Sequence, residues 1–174
     1  MWWFSPDPTE ATGQLLAPLR QDGWEILTDR KLPRSNIVVP HILIPPCGRG
    51  LVVPVSYRWP KGKLTVVVDG KLKCGRRSKQ QAVRGLADLA GRTQAAVSRP
   101  KPKWKDLGMV PALVVHGSPI FRHRDLAECR RWPSPITVIA PEGLLTALQE
   151  IPGNPDPNRA AALTERVAVL LPED

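Results

Sequence analysis

The chain has 174 residues, 42% of them hydrophobic, and a formal net charge of +9. That length suits one domain with a real core, and no apolar run approaches the ~20 residues of a membrane span. Three widely spaced cysteines, Cys47, Cys74 and Cys129, form no C-x-x-C pair, and the start MWWFSPDPTE lacks the basic flank and cleavage site of a secretory signal. A cytoplasmic protein with free cysteines and no membrane partner is therefore expected.

Thr9 to Leu19 reads as a first helix, with Thr9 as its N-cap and Leu15, Leu16 and Leu19 on one face. Gly23 breaks that pattern, Trp24 to Leu27 reads as a short strand, and Thr28 to Ser35 as a polar connection. From Asn36 to Trp59 two apolar runs flank the turn Pro-Pro-Cys-Gly-Arg-Gly, and this hairpin contains no Asp, Glu or Lys. Lys63 to Val68 continues as a strand into Asp69-Gly70, a strong hairpin signal, with Leu72 to Cys74 as the return strand. The middle of the chain thus reads as an antiparallel meander.

Between Ser78 and Ser98 the period becomes helical, with Val83, Leu86, Leu89, Ala90, Thr93 and Val97 on one face. Gly85 and Gly91 weaken this helix by roughly 1 kcal/mol each relative to alanine. Arg99 to Lys105 is a basic loop in which Trp104 serves as an anchor or stacks on a base, the anchor being preferred. Met109 to Val115 and Ile136 to Ile139 read as buried strands, and Pro141 to Gln149 and Asn158 to Leu171 as helices. The expected fold is α/β (α+β): one domain over 1–174, its central mixed sheet carrying the meander and flanked by helices, with 1–8 loosely packed.

Charge is unevenly placed. Arg58 to Lys105 holds 14 Lys or Arg against Asp69 and Asp88, a net of +12, whereas the chain from Pro141 onward is net −4. Such a block suggests an anionic partner, most often nucleic acid. The basic residues expected to make the contacts are Arg58, Lys61, Lys63, Lys73, Arg76, Arg77, Lys79 and Arg84.

Several stretches together resemble the nuclease-related domain (NERD) family, which has the restriction-endonuclease-like fold. They are LLAPL at Leu15, GWEILTDRKLP at Gly23, Asn36-Ile37 with His41-Ile42-Leu43-Ile44, Trp59, VVVDGKLKCGR at Val66, and PALVVHG at Pro111. The resemblance implies a metal-dependent nuclease of the PD-(D/E)XK type. Its chemistry needs an acid on the first helix, an Asp before the strand His, and Asp/Glu-x-Lys on the next strand. Carboxylates would hold a divalent cation that activates water and neutralises phosphate charge. At the corresponding positions this chain has Thr9, Pro40 before His41, and Val55-Ser56-Tyr57, so the motif is degenerate and no catalytic or metal-binding residue is assigned.

Asp29-Arg30-Lys31 and Asp69-Gly70-Lys71 also spell D-x-K, but turn chemistry accounts for both. Glu10 and Glu25 stand at ordinary places for a glutamate. His41 reads as a core histidine, His116 as bonded to a turn, and His123 as exposed; Ser118 and Cys129 lack a visible base. The expectation is a catalytically inactive nuclease-like domain that binds nucleic acid, DNA rather than RNA, with no cofactor. One alternative is an active nuclease using Mg or Mn and relocated acids; another is a protein-interaction module that uses the basic face. The sequence does not speak to oligomeric state.

Overall fold

The computed structural model describes residues 6–99, 102–121 and 136–174. Expectations for residues 1–5, for Lys101, and for His123 and Cys129 lie outside the described residues. Helix α1 spans Pro8–Leu16, and its N-cap is Asp7 rather than Thr9: the Glu10 N–H donates to the Asp7 carboxylate at 3.3 Å. Pro8 at the first helical position fits this, since its fixed φ suits the helix and its missing N–H is not needed there. The helix was expected to reach Leu19 but tightens into a 3₁₀ turn over Ala17–Asp22. Pro18 within that stretch cannot donate to an α-helical ladder.

Strand β1 covers Glu25–Lys31, four residues beyond the expected end at Leu27. The polar segment Thr28–Lys31 becomes strand because it pairs with β2 (Val38–Ile44), Thr28 opposite His41 and Lys31 opposite Val38. The chain's last residues cover its other edge: Lys31 N–H donates to the Pro172 carbonyl at 2.8 Å and Asp174 N–H to that of Asp29 at 3.0 Å. Ion pairs Arg30–Glu173 (3.4 Å) and Lys31–Asp174 (3.5 Å) accompany this contact.

Strand β2 turns into β3 (Gly50–Arg58), antiparallel with Leu43 opposite Val52. The turn between them is a seat for the last helix. Gly48, at φ +63, has the backbone of Arg159–Ala160 where a Cβ would sit, with Ala160 N at 2.6 Å, and its carbonyl accepts from Arg159 Nε at 2.9 Å. Only glycine satisfies both conditions. Strand β7 (Gly108–His116) runs parallel to β3 along its whole length, and β8 (Thr137–Ile139) runs parallel to β7. The result is a five-stranded mixed sheet ordered β1-β2-β3-β7-β8.

The expected meander does not continue this sheet. β4 (Thr65–Val68), β5 (Lys71–Cys74) and β6 (Arg77–Ser78) form a separate three-stranded antiparallel sheet. β3 has β2 on one edge and β7 on the other, so the chain leaving Trp59 finds no free edge to pair with. The Asp69-Gly70 turn is as expected, with both residues at positive φ (51° and 72°). Ser118 ties this sheet to the end of β7, its hydroxyl donating to the Lys63 carbonyl at 2.6 Å.

Helix α2 (Gln80–Ser98) buries Val83, Leu86, Ala90, Thr93 and Val97, the stripe the periodicity predicts, with Leu89 half-buried. Helices α3 (Pro141–Gln149) and α4 (Pro157–Leu170) complete three layers. One core joins α2 and α4 to the sheet through Leu51, Val53, Leu113 and Val115. The other joins α1 and α3 through Leu43, Val52 and Val114. This is the α+β class expected, a central mixed sheet flanked by helices. Among the described residues, no helix is long and apolar enough to cross a membrane.

Candidate functional site

Strand parity decides which side chains meet. Along β3, Leu51 and Val53 lie in the α2/α4 core, and Val55 and Tyr57 pack against the same core. The intervening residues Ser56 and Arg58 therefore turn to the α1 side. In the parallel register Arg58 stands beside His116, the last residue of β7. The carboxyl ends of parallel strands in an open sheet are where crevices form and ligands bind. β3 is also where the sheet changes from antiparallel to parallel pairing.

At that position a chain of polar groups crosses from helix to sheet. The Thr12 hydroxyl on α1, fully buried, lies 2.6 Å from Ser56 Oγ and 2.8 Å from His116 Nε2. Burial holds the His116 imidazole below its ordinary value of 6.5, and the Arg58 guanidinium pushes the same way; Glu142 and Asp7 act in the opposite sense. With the ring neutral and Nε2 accepting, Thr12 donates to His116 and accepts from Ser56, so each of the two contacts has one donor and one acceptor. Beside it an open cleft of about 570 Å³ is lined by Ala11, Gln14, Leu15, Arg58, Lys61, His116, Gly117, Pro141 and Glu142. Arg58 is held in place by donating from Nη2 to the Pro6 carbonyl at 2.8 Å.

The positions assigned to the degenerate motif do not converge on this cleft. Thr9 contributes its carbonyl, which lies 3.1 Å from His41 Nε2. His41 is buried, as expected, and its Nδ1 has no partner among the described residues. Pro40 is half-buried in β2. His116, expected to bond a turn, bonds the α1 hydroxyl instead. Thr12, Ser56 and Glu142 escaped sequence reasoning because nothing local marks a helix threonine 104 residues from its histidine partner.

The donor set does not suit the divalent cation that the resemblance implies. Hard cations take several carboxylate or carbonyl oxygens, whereas Thr12, Ser56, Arg58 and His116 offer hydroxyls, a fixed cation and an imidazole, and Glu142 is a single carboxylate among the lining residues. Among the described residues no three His, Cys, Asp or Glu side chains gather into a possible metal site. Asp29 lies on β1, Asp69 at a hairpin tip, and Glu10 and Glu25 are exposed.

The expected basic residues lie on consecutive elements from β3 to α2, and only part of this run reaches the cleft. Arg58 and Lys61 line it, and Lys79 sits 4.9 Å over the ring of Trp59, the residue after Arg58. Lys63 packs along Gly75, next to Arg76; Lys73 and Arg77 pair across β5 and β6 as partners of Ser78 and Cys74. Arg84 is exposed on the first half of α2. Among the described residues none of the eight takes part in an ion pair, and the terminal acids Glu173 and Asp174 pair with β1 instead. Trp104 is buried, with Lys103 and Arg159 over its ring at 4.9 and 5.1 Å, an anchor rather than a stacking platform. Comparison with protein-family models, with curated proteins and with solved structures finds no match to this chain.

Proposed function

We propose that this chain is a nuclease-like domain on the restriction-endonuclease-like plan that binds nucleic acid, DNA in preference to RNA, without metal-dependent cleavage. One observation carries the reading: eight basic side chains, six of them exposed, stand on neighbouring elements with no acidic partner among the described residues. Unpaired cations of this density are best satisfied by phosphates, and phosphate contact needs only cations and a matching surface. The order of elements around the main sheet supports the plan: a helix, three antiparallel strands, then, after the separate β4-β5-β6 sheet, a crossover helix and a parallel strand. Among the described residues, no three His, Cys, Asp or Glu side chains gather on the α1 side of β3, which supports the lack of cleavage.

The test is duplex binding by fluorescence anisotropy at two salt concentrations. For about six phosphate contacts, affinity should fall roughly a thousandfold between about 50 and 200 mM salt. Replacing Lys73, Arg76 and Arg77 together by glutamine should lower the slope of log K against log salt by about 3. No binding at low salt would end the proposal. Cleavage dependent on Mg or Mn and lost on mutating Glu10 or Asp29 would overturn its second half.

A further inference from the structure

The cleft at the ends of β3 and β7 is built differently from the rest of the basic run. Its cations, Arg58 and Lys61, share the lining with His116, whose ring Thr12 holds through a buried hydroxyl on Nε2. Gln14 and Glu142 line the same space. A duplex backbone running over this surface would meet the Glu142 carboxylate with no use for it. A single nucleotide unit uses both parts. Its phosphate meets the two cations, and its sugar hydroxyl or a base amino group donates to the carboxylate or the amide. The volume of about 570 Å³ lies within the range of small-molecule sites, and the place is the usual one for an open mixed sheet.

We propose that this cleft binds one nucleoside monophosphate unit, with its phosphate on Arg58, Lys61 and His116 and its polar sugar or base edge on Gln14 and Glu142. The unit is supplied either as a phosphorylated end of a nucleic-acid strand or as a free nucleotide. This rests on the nucleic-acid reading above and adds to it a site for a single nucleotide unit. The groups facing His116 are Arg58, Asp7 and Glu142, with Lys61 across the cleft and Thr12 on Nε2. A bound phosphate dianion adds negative charge among them, so the ring's titration midpoint rises on binding.

The experiment uses the full chain with isotope-labelled histidine, titrated with a nucleoside 5′-monophosphate and with the same nucleoside lacking phosphate. The nucleotide should shift the His116 ring signals and raise their midpoint; the nucleoside should not. Arg58→Gln and Lys61→Gln, both at exposed positions, should each weaken nucleotide binding roughly tenfold, about 1.4 kcal/mol. In a second arm, linear strands with phosphorylated ends are compared with circular DNA of equal length. Tighter binding of the phosphorylated ends assigns the unit to a strand end; equal binding with a nucleotide response assigns it to a free nucleotide. No response of His116 at millimolar nucleotide, or the same response to nucleoside, overturns the proposal. DNA binding that persists beside such a failure leaves the basic-face reading intact. A nucleotide response with no DNA binding removes that reading and keeps the cleft.

Discussion

The Thr12 hydroxyl is the joint between helix α1 and the two central parallel strands, and Thr12→Val removes it while nearly preserving shape. Two short hydrogen bonds are lost, to Ser56 at 2.6 Å and to His116 at 2.8 Å. Ser56 is half-buried and can turn towards water, whereas His116 is only 7% exposed and keeps an unpartnered ring nitrogen. At about 1 kcal/mol per net hydrogen bond, with a further penalty for the stranded buried nitrogen, the loss comes to roughly 2–3 kcal/mol. For a chain of this length that corresponds to a fall in Tm of about 5–10 °C. Urea unfolding followed by tryptophan fluorescence measures it, with the midpoint shifting and the slope unchanged. Thr12→Ser keeps the hydroxyl and gives up one buried methyl, so it should lose only about 1 kcal/mol. A valine variant as stable as the parent, or a serine variant falling just as far, would show that the polar chain contributes nothing.

The depressed His116 value sets a pH dependence of definite sign. In the folded chain the ring holds its proton less tightly than in the unfolded chain, so unfolding takes up protons as pH falls below about 6.5. The contribution is complete above that pH and is lost as pH drops through the folded value. The stability difference between the parent and His116→Gln, read from urea midpoints, should therefore shrink on acidification; a difference that grows would contradict the assignment. Gly85 and Gly91 lie on the exposed face of α2, where an added Cβ meets nothing within 4 Å. Gly85→Ala and Gly91→Ala should each raise stability by about 0.5–1 kcal/mol in thermal melts, and a loss at either site would mean that the helix face is covered.

Much of this protein is legible in the order of its residues. The buried stripe of α2 follows from spacing alone, because helical periodicity is a property of about twenty neighbouring residues. The strands at Leu51–Val55 and Met109–Val115 follow from unbroken apolar runs, and the Asp69-Gly70 turn follows from its need for positive φ. The basic block from Arg58 to Lys105 is likewise a fact of composition.

Where sequence reading stopped short, the missing information was always a pairing partner. Thr28 to Lys31 is too polar to look like a strand, and it becomes one because β2 lies on one side and the chain's last residues on the other. The meander separates from the main sheet because β7 already occupies the edge of β3. The family motif falls on Val55 and Tyr57, but strand parity gives the α1 face to Ser56 and Arg58. Only the tertiary structure brings Thr12, Ser56 and His116 together, since hydrogen bonds between groups far apart in the chain leave no period to read. The apolar pattern thus determined which segments are helix and strand. Which edges pair, and which polar groups meet at the ends of β3 and β7, was decided by the competition of whole strands for partners.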